Sequence, residues 1–481
     1  MNYANVGRML GWVLIISAGL LLLPLITALV YHEARTALAF TAVILITGLL
    51  GFLLTRLKSR RNEIYARDGF MIVGLSWVVL SALGALPFVL AGDIPNYIDA
   101  VFETVSGFTT TGATILTDIE GMSRGCMFWR CFTHWIGGMG ILVFVMAVLP
   151  MSGSNSMHIM RAEVPGPTVG KLVPRARKTA SILYFIYIGL TVAETILLLL
   201  GGMSFYDALL HAFATAGTGG FSTRAASVGA FNSPYIEWVV GVFMLLFGVN
   251  FNLYFLILIG RWKNALKSEE LWCYCAIIAC AVIAITLGIA GSAGGAAIAL
   301  RQAFFQVCSI ISTTGFSTAN FDLWPQYARW LLVLLMFIGA CAGSTGGGIK
   351  VSRVMILFRS CICELKDMLR PREVNRVRLE GRAVDNETVQ STRVFFVLYL
   401  ILTFLSVLVV SFDGFDLETN FTGVVACISN IGPGLGVVGP EGGFAGFSWL
   451  SKLILTWCML LGRLELYPML LIFAPSMWKR H

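Results

Sequence analysis

The chain has 481 residues, of which 57% are hydrophobic and only 12% charged, with a formal net charge of +8. A soluble domain carries about twice that share of charge, so a mean hydropathy of +0.81 excludes an ordinary cytosolic enzyme, a disordered chain and a disulfide scaffold. Fifty glycines suit closely packed membrane helices.

Ten apolar runs follow in chain order, over about 10–30, 36–55, 70–91, 128–149, 180–201, 235–259, 272–290, 329–350, 392–411 and 450–472. Each is long enough to cross a hydrocarbon core about 30 Å thick. They are continuously apolar rather than alternating, which selects helices over barrel strands. The first run reads as a span rather than a cleaved leader, because a second follows at once.

Charge placement sets the orientation. Basic residues follow the second run (Arg56, Lys58, Arg60, Arg61, Arg67), the fourth (Arg161, Lys171, Arg175, Arg177, Lys178) and the sixth (Arg261, Lys263, Lys267). Ten more run from Lys350 to Arg393, and with Arg8, Lys479 and Arg480 they put 26 of the 34 basic residues on one side. That side is cytoplasmic, and both termini lie on it. The positive charge is thus a topology signal and not a nucleic-acid footprint. The segment 350–393 reads either as a solvated linker or as a docking surface, since its ten basic residues are mixed with six acids.

Four segments on the opposite side are too apolar for free loops and too short to span. They are FETVSGFTTTGAT (102–114), HAFATAGTGGFST (211–223), FQVCSIISTTGFST (305–318) and TGVVACISNIGPGLG (422–436). Alignment puts Gly112, Gly220, Gly315 and Gly432 at one position. An acid precedes the loop in three units (Asp99 and Glu103, Asp207, Glu418), while the third has Arg301. The helix after each loop keeps a polar or glycine-rich centre: HWIGGMG (134–140), FGVNFNLY (247–254), GACAGSTGGGIK (339–350) and LGRLELYP (461–468). The unit is therefore helix, half-helix, glycine-containing loop, helix, repeated four times after two leading helices. The fold class is an all-α polytopic membrane protein with four pseudo-symmetric units around a central pore. The expected boundaries are 1–66 for the leading helices and 67–160, 161–268, 269–390 and 391–481 for the four units.

Irregular backbone at membrane depth survives only where it is buried in protein or lines a water-filled cavity. A half-helix turns its carbonyl end, about half a negative charge, toward the centre. Four loops of this kind form a ring of neutral oxygens able to replace a cation's hydration shell. The candidate filter is Thr110, Thr111, Gly112; Thr218, Gly219, Gly220; Thr313, Thr314, Gly315; and Asn430, Ile431, Gly432. No charged residue lies in 106–114, 213–223, 308–318 or 427–436, so selection rests on neutral oxygens, as in a potassium filter, rather than on the acid ring usual for divalent cations. Small residues packing helices together would explain one such loop but not four aligned copies.

Run eight holds Gly339, Gly343, Gly346, Gly347 and Gly348 around Ser344 and Thr345. Each interior glycine costs a helix roughly 0.5–1 kcal/mol relative to alanine, so the helix is interrupted there. The stretch 340–348 is a candidate gate beneath the third filter; a packing patch is the plain alternative. Its GSTGGGIK string is not a phosphate loop, because Ile349 intervenes before Lys350 and no Ser or Thr follows in place. Arg463 lies inside the last run. It is either a positive barrier below the filter or a structural partner of Glu465 or Glu194. His134 reads as a packing histidine or a proton relay. Cys126 and Cys131 could pair, whereas Cys273-x-Cys275 and Cys361-x-Cys363 lack companion zinc ligands. No hydrolytic constellation stands out, and no enzyme activity is expected.

On the filters SGFTTTGAT, GTGGFST, STTGFST and SNIGPGLG, the GSTGGGIKVSR segment and Arg463, the whole chain resembles the Trk/Ktr/HKT superfamily of potassium transporters, in particular its bacterial TrkH/TrkG-type membrane subunits. The resemblance implies K+ uptake through a homodimer in the inner membrane, with one pore per subunit. It also implies a cytoplasmic TrkA-like partner that binds NAD(H) or ATP/ADP, with no such cofactor on this chain. The family's filter glycines carry over to Gly112, Gly220, Gly315 and Gly432, its intramembrane loop to about 340–348 and its gate-side arginine to Arg463. A glycine at position 112 favours potassium over sodium in that family. The alternative function is a secondary transporter coupling K+ to H+ or Na+.

Overall fold

A computed structural model describes residues 3–57, 66–140, 176–373 and 375–478. The end of the fourth run (141–149), Lys58, Arg60, Arg61, Arg161, Lys171, Arg175, Lys479 and Arg480 lie outside the described residues, as do the side chains of Arg177 and Lys178.

Among the described residues, six helical stretches are long and apolar enough to cross a membrane: Tyr3–Val30, Ala34–Thr55, Arg67–Ala91, Ala180–Leu200, Glu269–Ile289 and Asn386–Asp413. Four of these are the leading helices of the four units. Three of them, those of units 2, 3 and 4, are apolar yet largely exposed; only 22% of the Asn386–Asp413 window is buried, and Phe404, Leu405 and Leu408 all face outward. A solvent that accepts such a surface is lipid, and the chain is a multi-pass membrane protein.

The ten expected runs are thus not ten continuous spans. Units 2, 3 and 4 each close with a shorter helix that breaks where its sequence turns polar or glycine-rich. Pro234–Gly248 bends by 90° into Phe251–Leu258. Gln326–Ile338 ends at Gly339, and helix resumes only at Val351–Leu369. Trp449–Arg463 stops before Tyr467–Ile472, with Glu465 and Leu466 at positive φ. Arg124–Gly138 closes the first unit.

The two leading helices of the chain cross where Gly11 and Gly51 meet; a methyl on Gly11 would lie 2.7 Å from the Gly51 carbonyl. Glu33, between them, accepts hydrogen bonds from Arg124 N (2.6 Å) and Gly125 N (3.0 Å). It thereby caps the closing helix of unit 1 with a negative charge.

Between the leading and closing helices of each unit lies a short helix: Tyr97–Phe108, Phe205–Gly217, Ala296–Ile311 and Leu417–Ile428. Three begin with an acid in the first turn, Asp99, Asp207 or Glu418, which suits the positive end of the helix. Ion pairs join neighbouring units at this level. Glu237, Arg329 and Lys452 are each the fourth residue of their closing helix. They pair with the next unit's short helix: Glu237 with Arg301 (2.9 Å), Arg329 with Glu418, and Lys452 with Asp99 (2.7 Å). Arg301 breaks the acidic pattern because the polarity of this one seam is reversed. At the remaining seam Tyr206 donates its hydroxyl to the Arg124 carbonyl at 2.7 Å.

Candidate functional site

All four short helices end in the same way. The N–H of Thr110, Thr218, Thr313 and Asn430 bonds the carbonyl three residues back, and the next N–H reaches five residues back, to Ser106, Ala214, Ser309 and Ala426, at 2.8–2.9 Å. This is a Schellman stop, which needs a left-handed residue at its turn. Those residues have φ of 55°, 54°, 59° and 56°. Glycine usually fills the position, and a β-branched residue there is strained by about 1–3 kcal/mol. Three of the four are nonetheless threonine. The fourth, Asn430, is the kind of residue that tolerates this conformation, so the divergent SNIGPG loop keeps the backbone of the others.

Two residues further on, Gly112, Gly220, Gly315 and Gly432 also have positive φ, from 76° to 97°. Their surroundings reveal the closure. A methyl on Gly112 would strike the carbonyl of Gly219, one on Gly220 that of Thr314, and one on Gly315 that of Ile431. One on Gly432 would lie 2.7 Å from the carbonyl of Thr111. Each carbonyl belongs to the residue just before the next unit's glycine, and the fourth contact returns to the first unit. The four loops therefore close in the order 1-2-3-4 around one axis. All four glycines line a single outer cavity of about 130 Å³. Asn430 stitches the last seam, donating to Thr111 Oγ1 (3.0 Å) and to the Met459 carbonyl (2.8 Å).

The stretch 339–350 is non-helical and buried beneath this ring. Gly347 N donates to Thr313 Oγ1 at 2.6 Å, and a methyl on Gly347 would lie 3.0 Å from Asn430 Cβ. Cys341 N and Thr345 N bond the carbonyls of Gly248 and Phe247, at the bend of unit 2. Gly343 accepts from Phe251 N (3.0 Å) across the same bend. Lys350 turns its ammonium onto the Gly346 carbonyl. Arg463 donates to Thr345 O, Gly137 O and Gly138 O, each at 2.6 Å. The proposed gate residues Gly343, Ser344, Thr345, Gly346, Gly347, Gly348 and Arg463 thus come together, held by parts of all four units. Glu465 pairs with Arg353 (3.1 and 2.5 Å).

The chain as a whole is similar to known proteins. The family described as TrkH, cation transport protein, matches residues 32–272 and 292–480. The chain is 39% identical to the Trk system potassium uptake protein TrkH of Salmonella typhimurium, over 100% of both. It is 32% identical to the TrkG protein of Escherichia coli, covering 95% of this chain and 94% of that one. It superposes on the crystal structure of the potassium transporter TrkH from Vibrio parahaemolyticus with a TM-score of 0.90 at 33% identity, over 100% of both chains. The chain belongs to the TrkH family.

Around this TrkH-family site the structure decides several residues that the sequence left open and adds Glu270, which it did not mark. His134 is fully buried behind the loops of units 1 and 2, with Nδ1 against the Gly107 carbonyl (2.8 Å) and Nε2 against Phe221 N (3.3 Å). Because Phe221 N can only donate, Nε2 accepts and Nδ1 donates; both ring nitrogens are engaged in bracing, as the packing reading expects. Glu270 accepts from Ala342 N (2.8 Å) and Ser352 N (3.1 Å), at the two ends of the intramembrane stretch. Cys126 and Cys131 are free thiols, because five residues along a helix turn them about 140° apart. No cluster of three or more metal-ligating side chains occurs among the described residues.

The described part of the basic segment forms regular structure. After Val351–Leu369 comes a hairpin pairing Arg378 with Ala383 and Leu379 with Arg382. Arg359 pairs with Glu269 (2.7 Å) and Arg393 with Glu364 (2.5 Å). Arg370, Arg372, Arg376, Arg378 and Arg382 remain exposed.

Proposed function

We propose that this chain is a potassium-selective translocating subunit that takes K+ up across the bacterial inner membrane. The observation that carries the reading is the closed ring in which each filter glycine abuts the carbonyl before the next. An uncharged oxygen ring at the ends of four half-helices, each with its negative pole inward, exchanges water for backbone oxygen around a monovalent cation. Thr110–Gly112, Thr218–Gly220, Thr313–Gly315 and Asn430–Gly432 hold the ion. The stretch 340–348 and Arg463 close the path below: the guanidinium puts a positive charge under the filter, and the loop fills the space there.

The names of the relatives, potassium uptake proteins of the Trk system, support K+ as the cargo. By family resemblance the chain works as a homodimer, with both termini cytoplasmic. The same resemblance gives it a TrkA-like partner that binds NAD(H) or ATP/ADP, and the exposed arginines of 370–382 offer that partner a docking surface.

Radioactive rubidium uptake into proteoliposomes, with and without the cytoplasmic partner, tests the function. Uptake that potassium competes and sodium does not is the expected result; no uptake under either condition rejects it. One observation favours a second reading, coupling of K+ to H+. Glu194, fully buried in the leading helix of unit 2, has neither carboxyl oxygen hydrogen-bonded among the described residues. A reversal potential that tracks potassium alone excludes that reading, and a stoichiometric shift with pH establishes it.

A further inference from the structure

Extended strands leave each filter toward the outer face, and each is tied back to its own short helix. The position nine residues before the filter glycine is Glu103, His211, Gln306 and Gly423 in the four units. In unit 2 His211 Nε2 meets the Ser222 hydroxyl at 2.9 Å, and Asp207 Oδ1 accepts from the Thr223 hydroxyl at 2.7 Å, with Arg224 3.7 Å from the carboxylate on the exposed side. Units 3 and 4 use hydroxyls from nearby positions. Ser309 donates to the Phe316 carbonyl (2.6 Å), and Thr422 accepts from Leu435 N (2.9 Å).

Unit 1 differs in using a fully buried charge pair that reaches the next unit. Glu103 Oε1 accepts from the Thr114 hydroxyl (2.9 Å) and from Arg130 Nε (2.7 Å), and Oε2 accepts from Ile115 N (3.0 Å). Arg130 then crosses to the next unit. Its Nη1 donates to the Ser222 carbonyl at 3.1 Å, and its guanidinium carbon lies 3.6 Å from the centre of the Phe221 ring. The two side chains are 0% and 1% exposed. Thr114 and Ile115 lie just beyond Gly112, and Ser222 just beyond Gly220. A single buried ion pair therefore spans the outgoing strands of filters 1 and 2.

Stability alone does not account for such a pair. Taking two charges out of water costs nearly as much as their attraction returns, and apolar replacements are often as stable. What the pair supplies is geometry. A planar guanidinium fork fixes the distance between a carboxylate and a carbonyl in a way that one flexible hydroxyl cannot. Because the pair is neutral overall, it does so without adding net charge behind a cation pathway. We infer that Glu103 and Arg130 are positioning residues for selectivity, holding the strands of filters 1 and 2 at a fixed separation so that the ring cannot contract around a smaller ion. The inference rests on the potassium-filter reading above.

The test is the potassium-to-sodium permeability ratio of the full-length protein in proteoliposomes, from reversal potentials with K+ on one side and Na+ on the other. Arg130→Gln is expected to lower the ratio by about tenfold while the potassium current persists. The Glu103→Gln/Arg130→Gln double variant is expected to fall no further, because the two act as one unit. Arg130→Lys keeps the charge but loses the fork, so it restores the ratio only in part. Thr114→Val leaves the pair intact and removes one contact to it. It is expected to shift the ratio the same way by roughly two- to threefold, which keeps the test open if Arg130→Gln fails to accumulate. A wild-type ratio in Thr114→Val, or in folded Arg130→Gln, overturns the inference. A wild-type protein with no potassium preference instead overturns the filter reading beneath it.

Discussion

The guanidinium of Arg463 donates to the carbonyl of Thr345 at 2.6 Å, and so joins the closing helix of unit 4 to the intramembrane stretch of unit 3. The same side chain reaches the Gly137 and Gly138 carbonyls of unit 1. Those carbonyls end a helix, where a cation is favoured. A charged donor bonded to a buried carbonyl is worth about 1.5–3 kcal/mol per bond, so losing even one of the three shifts a closed–open balance by about tenfold or more. Arg463→Gln is therefore expected to raise rubidium flux by about tenfold, with little change in potassium preference. Flux at or below the wild-type level in a folded variant would count against a gating role.

The four glycines of the ring are not equally tight. A methyl on Gly112, Gly220 or Gly315 overlaps the neighbouring carbonyl, whereas on Gly432 the gap is 2.7 Å. Substitution by serine should thus damage potassium selectivity at the first three positions and least at Gly432. Positive φ adds strain of about 1–3 kcal/mol at all four, so Gly432→Ser still loses some folded protein. Measuring selectivity and detergent-solubilised yield for the four variants separates the two effects. Equal loss of selectivity at all four positions would contradict the ranking.

The glycines could be read from the sequence because a repeated motif survives in letters: three Thr-containing loops and one SNIGPG align on a single residue. The left-handed turn two residues earlier could not. Thr110, Thr218 and Thr313 are residues that avoid that conformation, and only Asn430 hints at it. The closing helices were legible as apolar runs, but their breaks were only partly so. The glycines of 339–348 announced one, whereas the 90° bend at Gly248–Phe251 depends on carbonyls that the intramembrane stretch satisfies from another unit. Arg463 was visible as an intramembrane charge, yet its acceptors are backbone carbonyls, which no side-chain pattern records. Glu103 and Arg130 are 27 residues apart and belong to different helices, so no local period connects them.

The seam between units 2 and 3 carries its ion pair in reverse, Glu237 on the closing helix and Arg301 on the short helix, at 2.9 Å. Arg301→Glu places two carboxylates together and should lower the melting temperature of the purified protein. Adding Glu237→Arg restores opposite charges in the polarity used at the other two ion-paired seams, and it should recover most of the loss. The pair is 25% and 11% exposed, so a coupling energy of about 1 kcal/mol is expected from the double-mutant cycle. A coupling of zero would mean that the pair does not hold the seam.

Glu270 sits where the intramembrane stretch enters and leaves. Its Oε1 accepts from Ala342 N at 2.8 Å and from Ser352 N at 3.1 Å, so one oxygen pins both ends. The neighbouring residues face the hairpin of 378–383. The Ser268 hydroxyl donates to Glu380 (2.9 Å), and Glu269 accepts from Gly381 N (3.2 Å) and pairs with Arg359 (2.7 Å). Residues 268–270 thus touch the hairpin on one side and the stretch on the other. Glu270→Gln keeps an acceptor oxygen of the same reach and should retain near-wild-type flux. Glu270→Ala orphans two buried N–H groups, at about 1–3 kcal/mol each, and should free the stretch and raise partner-independent rubidium flux. If the oxygen is the pin, the two variants differ. If Glu270→Ala and Glu270→Gln behave alike, charge or packing governs the stretch and the pinning assignment fails.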